Sequence, residues 1–197
     1  MAPNFRRIAL FGGSFDPVHS AHLWIAFNAL EACRLDQLFF VPAAQSPFKP
    51  DRHPAGDHRR LAMLRLALAG QTRFSIDDRE LSRGGVSYSI ETVRAYRDLY
   101  PEAELFYLIG ADHIAALHKW RDAEELARQV TFVSAARPGA AAKPKPPAGF
   151  RLRLLEGPSI DLSSSQLRER IRDRRAWKAF TPELVASYIE NHGLYHC

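Results

Sequence analysis

Cysteine is scarce in this chain of 197 residues, which contains only Cys33 and Cys197. Two cysteines cannot build a disulfide framework, and neither belongs to a Cys-x-x-Cys pair. The sequence therefore argues against a disulfide-stabilised secreted domain and against a structural zinc site. It favours a protein that stays in a reducing cytoplasm.

Long apolar runs are also missing. The first run, residues 8–11, ends at Gly12, and Arg65 interrupts the next one at residues 61–69. A membrane-spanning helix needs about 20 apolar residues and an export signal needs about 7–15, so we expect neither. The sequence predicts a cytoplasmic protein with no membrane partner.

A large excess of charge of one sign is absent as well. The chain has 27 Lys and Arg against 22 Asp and Glu, a net charge of +5. This modest excess fits a pocket for nucleotide phosphates and equally fits a nucleic-acid surface, so it leaves both open. The length and the ordinary share of apolar residues indicate one globular domain, residues 1–197.

Short apolar runs alternate with helical patterns along the chain. We predict strands at residues 7–11, 37–41, 74–76, 105–109, 130–134 and 152–155, and helices at residues 18–32, 57–69, 89–100, 164–173 and 182–192. Because the strands are continuously apolar, they indicate a Rossmann-like α/β fold, a parallel sheet with helices on both faces. The last two helices make residues 159–197 a small C-terminal helical part. Ligands of such sheets bind at the carboxyl ends of the strands.

The stretch that follows the first strand carries the strongest functional signal. Gly12 and Gly13 end the strand, and a helix is predicted to begin near Pro17. Glycines let a ligand approach the backbone, and a helix start attracts phosphate. His19 and His22 lie three residues apart, so their rings should share one face above that phosphate site.

Other readings of this stretch fit less well. The third glycine of a dinucleotide fingerprint would fall at Pro17, and the Gly-Lys-Ser/Thr of a Walker A loop is missing. Zinc bound by two histidines needs further ligands, and none stands at a suitable spacing. A pair of ordinary structural histidines would not require the Gly-Gly turn directly after the first strand.

Residues 12–22 resemble the Gly-Gly-x-Phe-Asp-Pro-x-His-x-x-His signature of the nucleotidyltransferases that share a His-x-Gly-His core with class I tRNA synthetases. Within that superfamily the chain is similar to the bacterial nicotinate-nucleotide adenylyltransferases. Further blocks of that family match in the same order, at residues 42–49, 60–64, 78–92, 110–120, 160–168 and 188–195.

The resemblance implies an enzyme of NAD biosynthesis. The 5′-phosphate of nicotinate mononucleotide would attack the α-phosphorus of ATP, giving deamido-NAD and pyrophosphate, with Mg²⁺ accompanying ATP. The expected partners are these two nucleotides and no nucleic acid. The oligomeric state stays open, a homo-oligomer included.

The resemblance also implies the site residues, and no resident metal ligand is among them. Catalysis is assigned to His19, His22 and Lys49. ATP binding is assigned to Gly12, Gly13, Ser14, Phe15, His19, His22, Gly110, Asp112, Arg137, Ser163, Ser164 and Arg168. Nicotinate mononucleotide binding is assigned to Asp16, Lys49, Ser87, Tyr88, Ser89 and Trp120, with Trp120 stacking on the pyridine ring.

Two residues depart from the family pattern. Ala21 replaces the glycine between the histidines, and Phe48 replaces a histidine of the proline-rich loop, which leaves more of the phosphate binding to Lys49. The Pro- and Gly-rich residues 137–149 predict a mobile surface loop, and whether residues 143–148 close on ATP stays open. The preference for the acid over the amide mononucleotide also stays open.

Two alternatives remain at this point. The chain could transfer an adenylyl or cytidylyl group to another phosphate acceptor, such as nicotinamide mononucleotide or phosphopantetheine. It could instead be a non-catalytic nucleic-acid-binding protein that uses the arginines of residues 168–175, which predicts strongly salt-dependent binding and no turnover.

Overall fold

The computed structural model describes residues 5–47, 55–135, 145–157 and 160–196. Within these residues one parallel sheet has the strand order β3-β2-β1-β4-β5-β6. Its strands are β1 (Arg7–Gly13), β2 (Gln37–Pro42), β3 (Phe74–Ile76), β4 (Glu104–Leu108), β5 (Thr131–Ala135) and β6 (Leu152–Leu155). The predicted parallel sheet is confirmed. The strand order reverses between β1 and β4, which opens a crevice at their carboxyl ends.

The helices connect these strands. They are α1 (Ser20–Ala32), α2 (Asp57–Ala67), α3 (Arg79–Arg83), α4 (Ser89–Leu99), α5 (Ala111–Ile114), α6 (Ala123–Gln129), α7 (Ser164–Arg172) and α8 (Glu183–Asn191), with 3-10 turns at Leu117–Lys119 and Lys178–Phe180. The sequence patterns predict five of them and miss α3, α5 and α6. Those three have at most seven residues, too few to show a helical repeat.

The entry to α1 differs from the prediction. The helix begins at Ser20, and the Asp16–Pro17 peptide bond before it is cis. His19 is the N-cap residue and has extended backbone angles. The prediction that Pro17 opens the helix is wrong, because the carbonyl oxygens of residues 16–18 bind side chains of the C-terminal part instead of helical N–H groups.

Both faces of the sheet are covered, as the continuously apolar strands predict. In β1, Ala9 and Phe11 belong to one buried cluster, and Ile8 and Leu10 belong to a second cluster on the other face. Apolar residues of α7 and α8, such as Ile171 and Ile189, belong to the same cluster as Phe11. Each such buried side chain stabilises the fold by about 1.5–3 kcal/mol, so the C-terminal helices are part of the main core.

In the described part of the chain, no helix has the length and apolar character that crossing a membrane requires.

Candidate active site

The carboxyl ends of β1, β4 and β5 open into a cavity of about 1180 Å³. It lies at the reversal of strand order, where the sequence analysis expects the ligand. Its volume exceeds the roughly 300–1,000 Å³ of ordinary small-molecule sites. The cavity therefore has room for more than one small ligand.

Two histidines at the start of α1 line this cavity. The rings of His19 and His22 stack with centroids 3.6 Å apart and planes 23° from parallel. The backbone N–H of His19 donates to Nδ1 of His22 over 3.2 Å. A nitrogen that accepts from an N–H carries no proton, so neutral His22 holds its proton on Nε2. The structure thus brings together the two rings that their spacing predicts to share a face.

Both histidines are uncharged at neutral pH. Burial lowers the pKa of His19 to about 4, and a hydrogen bond with its own backbone opposes the shift only in part. Burial and then the nearby His19 hold the pKa of His22 well below 6.5. In this form the two rings offer hydrogen bonds and no net charge.

A buried arginine donates a hydrogen bond to the backbone of the loop between β1 and α1. Arg60 of α2 is fully buried and donates from Nη1 to the carbonyl of Ser14 over 2.8 Å and from Nη2 to Asp57 over 2.7 Å. In the sequence analysis Arg60 belongs to a matching family block, at residues 60–64, but has no assigned role. Its bond to Ser14 fixes the backbone of the predicted phosphate loop.

The aromatic residue of this loop faces inward. Phe15, assigned to ATP binding from the sequence, is fully buried, and its ring meets the ring of His22 edge-on at 5.0 Å. A Cβ added to Gly13 would lie 3.0–3.2 Å from the Phe15 ring. The side chain of Phe15 therefore supports His22 from the core instead of lining the cavity.

A second wall of the cavity is formed by residues 87–89 and β4. The Tyr107 hydroxyl donates to Oγ of Ser89 over 2.8 Å, and the N–H of Ala44 donates to Oγ of Ser87 over 2.9 Å. Trp120 meets the Tyr107 ring edge-on at 6.0 Å. Four residues that the sequence assigned to the mononucleotide thus line the same cavity: Ser87, Tyr88, Ser89 and Trp120.

A buried carboxyl group lies against this wall. Glu80 is 3% exposed and accepts a hydrogen bond from the Thr92 hydroxyl. Burial raises the pKa of Glu80, although hydrogen bonds from Thr92 and Ser87 favour its charged form. The guanidinium of Arg121 lies 4.5 Å from the Tyr88 ring centre and places a cation at this wall.

The start of α7 forms a further side of the cavity. Ser163 is the N-cap residue: its Oγ accepts from the N–H of Gln166 over 3.2 Å, and its own N–H donates to the Gln166 side chain over 2.7 Å. The Ser164 hydroxyl donates to the carbonyl of Pro17 over 2.9 Å, so it binds the first loop.

Arg168 and Asp16 also meet at this side. Arg168 donates from Nη1 to the carbonyl of Asp16 and from Nη2 to Ser165. The Asp16 carboxylate accepts from the N–H of Ala55 over 3.1 Å and from the Tyr195 hydroxyl. Asp16, assigned to the mononucleotide from the sequence, is 5% exposed and already has these protein donors.

Gly110 and Asp112 lie at the end of β4. Gly110 is the N-cap residue of the short helix α5, and Asp112 is in its first turn, with both lining the cavity. Two residues that the sequence analysis assigned to the site, Lys49 and Arg137, lie outside the described residues. Phe48, which departs from the family pattern, also lies outside them.

Comparison with known proteins decides the family. The model of the cytidylyltransferase-like family matches residues 10–170. A probable nicotinate-nucleotide adenylyltransferase from Opitutus terrae is 42% identical over 190 residues, which cover 96% of this chain and 97% of that protein. A probable nicotinate-nucleotide adenylyltransferase from Thermus thermophilus is 41% identical over 189 residues, covering 96% and 99%.

The chain belongs to the nicotinate-nucleotide adenylyltransferase family. Its fold is also that of a solved structure, the Plasmodium falciparum nicotinic acid mononucleotide adenylyltransferase complexed with NaAD. The two share 19% identity with a TM-score of 0.82 over 96% of this chain and 97% of that one. The predictions of family, nucleotidyltransferase fold and adenylyltransferase reaction are confirmed.

Some residues that line the cavity carry no signal in the adenylyltransferase motifs. They are Trp24 and Ile25 of α1, Arg59 of α2 and Tyr107 of β4. Tyr107 is the polar-tipped residue of an apolar strand, which is a weak signal for a functional side chain. Arg59 precedes the motif residue Arg60, and its half-buried guanidinium has no ion pair within the described part of the chain.

Proposed function

We propose that the cavity holds ATP and nicotinate mononucleotide together and transfers the adenylyl group between them. An oxygen of the mononucleotide 5′-phosphate forms a bond to the α-phosphorus of ATP, and the bond from that phosphorus to the pyrophosphate oxygen breaks. The products are deamido-NAD and pyrophosphate. The observation that carries the proposal is the stacked, uncharged His19–His22 pair on the loop fixed by Arg60.

The histidines stabilise the charge that builds on the transferred phosphate. Phosphoryl transfer needs two phosphates in line and hydrogen-bond donors placed in advance, with no covalent intermediate. The proton on Nε2 of His22 and a proton on His19 are such donors. Because the pKa of His19 is about 4, this donation needs no protonation step at neutral pH.

The ATP end of the site is assigned to the starts of α5 and α7, together with Lys49 and Arg137. Ser163 and Ser164 at the start of α7 are assigned to the phosphates. Arg168, which also donates to the Asp16 carbonyl and to Ser165, is assigned to the pyrophosphate as it leaves. Asp112, after Gly110, suits the ribose hydroxyls of ATP. Lys49 and Arg137 stay in the proposal as phosphate ligands from the sequence.

The mononucleotide end is assigned to the wall formed by residues 87–89 and Trp120. The N–H groups at the start of α4 suit the nicotinate carboxylate, and Trp120 suits the flat pyridine ring. Arg121, over Tyr88, is already paired with Glu91 over 3.2 Å, so the preference for an acid rests mainly on these N–H groups. The site therefore favours nicotinate mononucleotide over nicotinamide mononucleotide.

We assign Mg²⁺ to the ATP phosphates. Within the described residues, no group of three or more His, Cys, Asp or Glu side chains is arranged to hold a metal ion. Such a site fits an ion that keeps waters and binds mainly through substrate phosphates, as Mg²⁺ does. When bound, it neutralises charge on the pyrophosphate.

The arginines of residues 168–175 weigh against a nucleic-acid-binding function. Arg170 donates to the carbonyl of Ala176 over 2.7 Å, and Arg172 and Arg175 each bind Asp173 over 3.2 Å. Arginines already paired within the protein offer less to a phosphate backbone. We accordingly include no nucleic acid among the partners. From the scarcity of cysteine we also propose that the enzyme is cytoplasmic.

The test compares the two mononucleotides. Purified protein is incubated with ATP, Mg²⁺ and either nicotinate or nicotinamide mononucleotide, and pyrophosphate and the dinucleotide are measured. We expect both products, with a higher kcat/KM for the acid. Turnover with phosphopantetheine and not with either mononucleotide would replace this proposal with the alternative acceptor.

A further inference from the structure

We propose that Tyr195 is a positioning residue for the loop that carries His19, and that it acts through the carboxylate of Asp16. This inference rests on the proposed function, since it concerns how the loop of the same site is positioned. Tyr195 is 176 residues from His19 in sequence, and only the fold brings its hydroxyl to the loop.

The C-terminal part of the chain holds three consecutive carbonyl groups of this loop. Arg168 donates to the carbonyl of Asp16 over 2.5 Å, Ser164 to that of Pro17 over 2.9 Å, and Thr181 to that of Val18 over 2.8 Å. The next residue is His19. The backbone that leads into the catalytic pair is thus set by residues 164–181, not by local helical bonds.

Tyr195 adds the contact to a side chain. Its hydroxyl donates to Oδ1 of Asp16, while Oδ2 accepts from the N–H of Ala55 and lies 3.9 Å from Nη1 of Arg168. Asp16 is 5% exposed, so water replaces a lost donor poorly. A buried carboxylate that loses one donor shifts toward its remaining partners.

The backbone of Tyr195 indicates that this placement is enforced. Its φ is +67°, in the left-handed region that residues other than glycine seldom adopt. Leu194, the residue before it, is buried in the same apolar cluster as Phe15, the ring that supports His22. The chain end is therefore anchored where the hydroxyl reaches Asp16.

A shift of Asp16 changes where the loop places His19 and leaves the wall formed by residues 87–89 and Trp120 in position. The expected consequence is a lower kcat with a nearly unchanged KM for both nucleotides. A direct substrate contact by Asp16, as the sequence analysis assigned, would instead raise the KM for the mononucleotide.

The first test is Tyr195→Phe, which removes the hydroxyl and keeps the ring. We expect kcat to fall about tenfold, both KM values to stay within about twofold, and the melting temperature to change little. The matched control is Tyr188→Phe in α8, where the ring stacks on His192, and its kcat should equal that of the wild type. An unchanged kcat in Tyr195→Phe overturns the inference.

The second test is a double-mutant cycle with Asp16→Asn. If Tyr195 acts through Asp16, the double variant loses no more kcat than Asp16→Asn alone, whereas independent effects multiply. Rates are compared below the melting transitions of all variants, so a loss of stability cannot imitate the result. Multiplying effects contradict the inference, and an inactive wild type contradicts the proposed function instead.

Discussion

The hydroxyl of Tyr107 lies where a side chain on Gly12 would have to be. A Cβ built on Gly12 collides with that oxygen and lies 3.3 Å from Cζ of the same ring. Tyr107 is held there by its hydrogen bond to Ser89. The first glycine of the loop is thus required by a neighbouring strand, whereas the sequence suggested that the ligand requires it.

This contact predicts a specific cost for Gly12→Ala. Because Gly12 does not have a positive φ, alanine fits its backbone and only the crowding counts. We expect the free energy of unfolding to fall by about 1–3 kcal/mol, as for other overpacked sites. Removing the hydroxyl with Tyr107→Phe should recover part of this loss in urea unfolding. Purely additive losses in the double variant would show that the two residues do not compete for space.

The histidine pair predicts a large loss of rate without a loss of fold. Removing one preorganised donor to the transferring phosphate costs about 2.7–4 kcal/mol, or about 10²–10³ in rate. We expect kcat to fall by at least that factor in His19→Ala and in His22→Ala, measured as pyrophosphate release. Both variants should keep the wild-type circular dichroism spectrum. Wild-type turnover in either one would remove that histidine from the mechanism.

The lowered pKa of His19 also predicts how the stability of the folded chain depends on pH. Its pKa is about 4 in the folded chain and about 6.5 when unfolded, so the unfolded chain binds more protons between these values. Stability is therefore lost as the pH falls from about 6.5 toward about 4. Between pH 7.5 and 5, linkage gives a loss of about 2 kcal/mol from this residue. Urea unfolding of the wild type and His19→Gln at both pH values measures it, and equal losses in the two proteins would contradict this pKa.

We expect Arg59 to contribute to substrate binding. It lines the same cavity as residues 43–47, of which Ala44 donates to Ser87. A hydrogen bond between a cation and phosphate contributes about 1.5–3 kcal/mol. We expect Arg59→Ala to raise the KM for nicotinate mononucleotide about tenfold or more, and Arg59→Lys to raise it less. Arg65→Ala, on the exposed part of the same helix, is the control and should leave both KM values unchanged. Equal KM values in Arg59→Ala and the wild type would exclude the contact.

Much of the fold follows from local sequence patterns because the strands are short, apolar and buried on both faces. The start of α1 does not follow, because the bonds that set it come from Ser164 and Thr181, 147 and 163 residues away from their acceptors. A local pattern that places Pro17 in a first helical turn contains no trace of these donors.

The lining of the cavity was predictable where its residues stand at the ends of strands or helices. His19, Ser87, Gly110 and Ser163 all do, and the parallel sheet brings such ends together. Phe15 could not be predicted in this way, because a motif gives the position of a residue and not the direction of its side chain. Here the ring faces the core.

The most direct test of the account follows the α-phosphorus of ATP. Wild-type protein and His22→Ala are given ATP radioactive at the α-phosphorus together with Mg²⁺ and nicotinate mononucleotide, and the labelled products are separated. We predict that the wild type moves the label into the dinucleotide and that His22→Ala does so at least about 10²-fold more slowly. Label that stays in ATP, or that leaves as ADP or AMP without forming the dinucleotide, would contradict adenylyl transfer by this site.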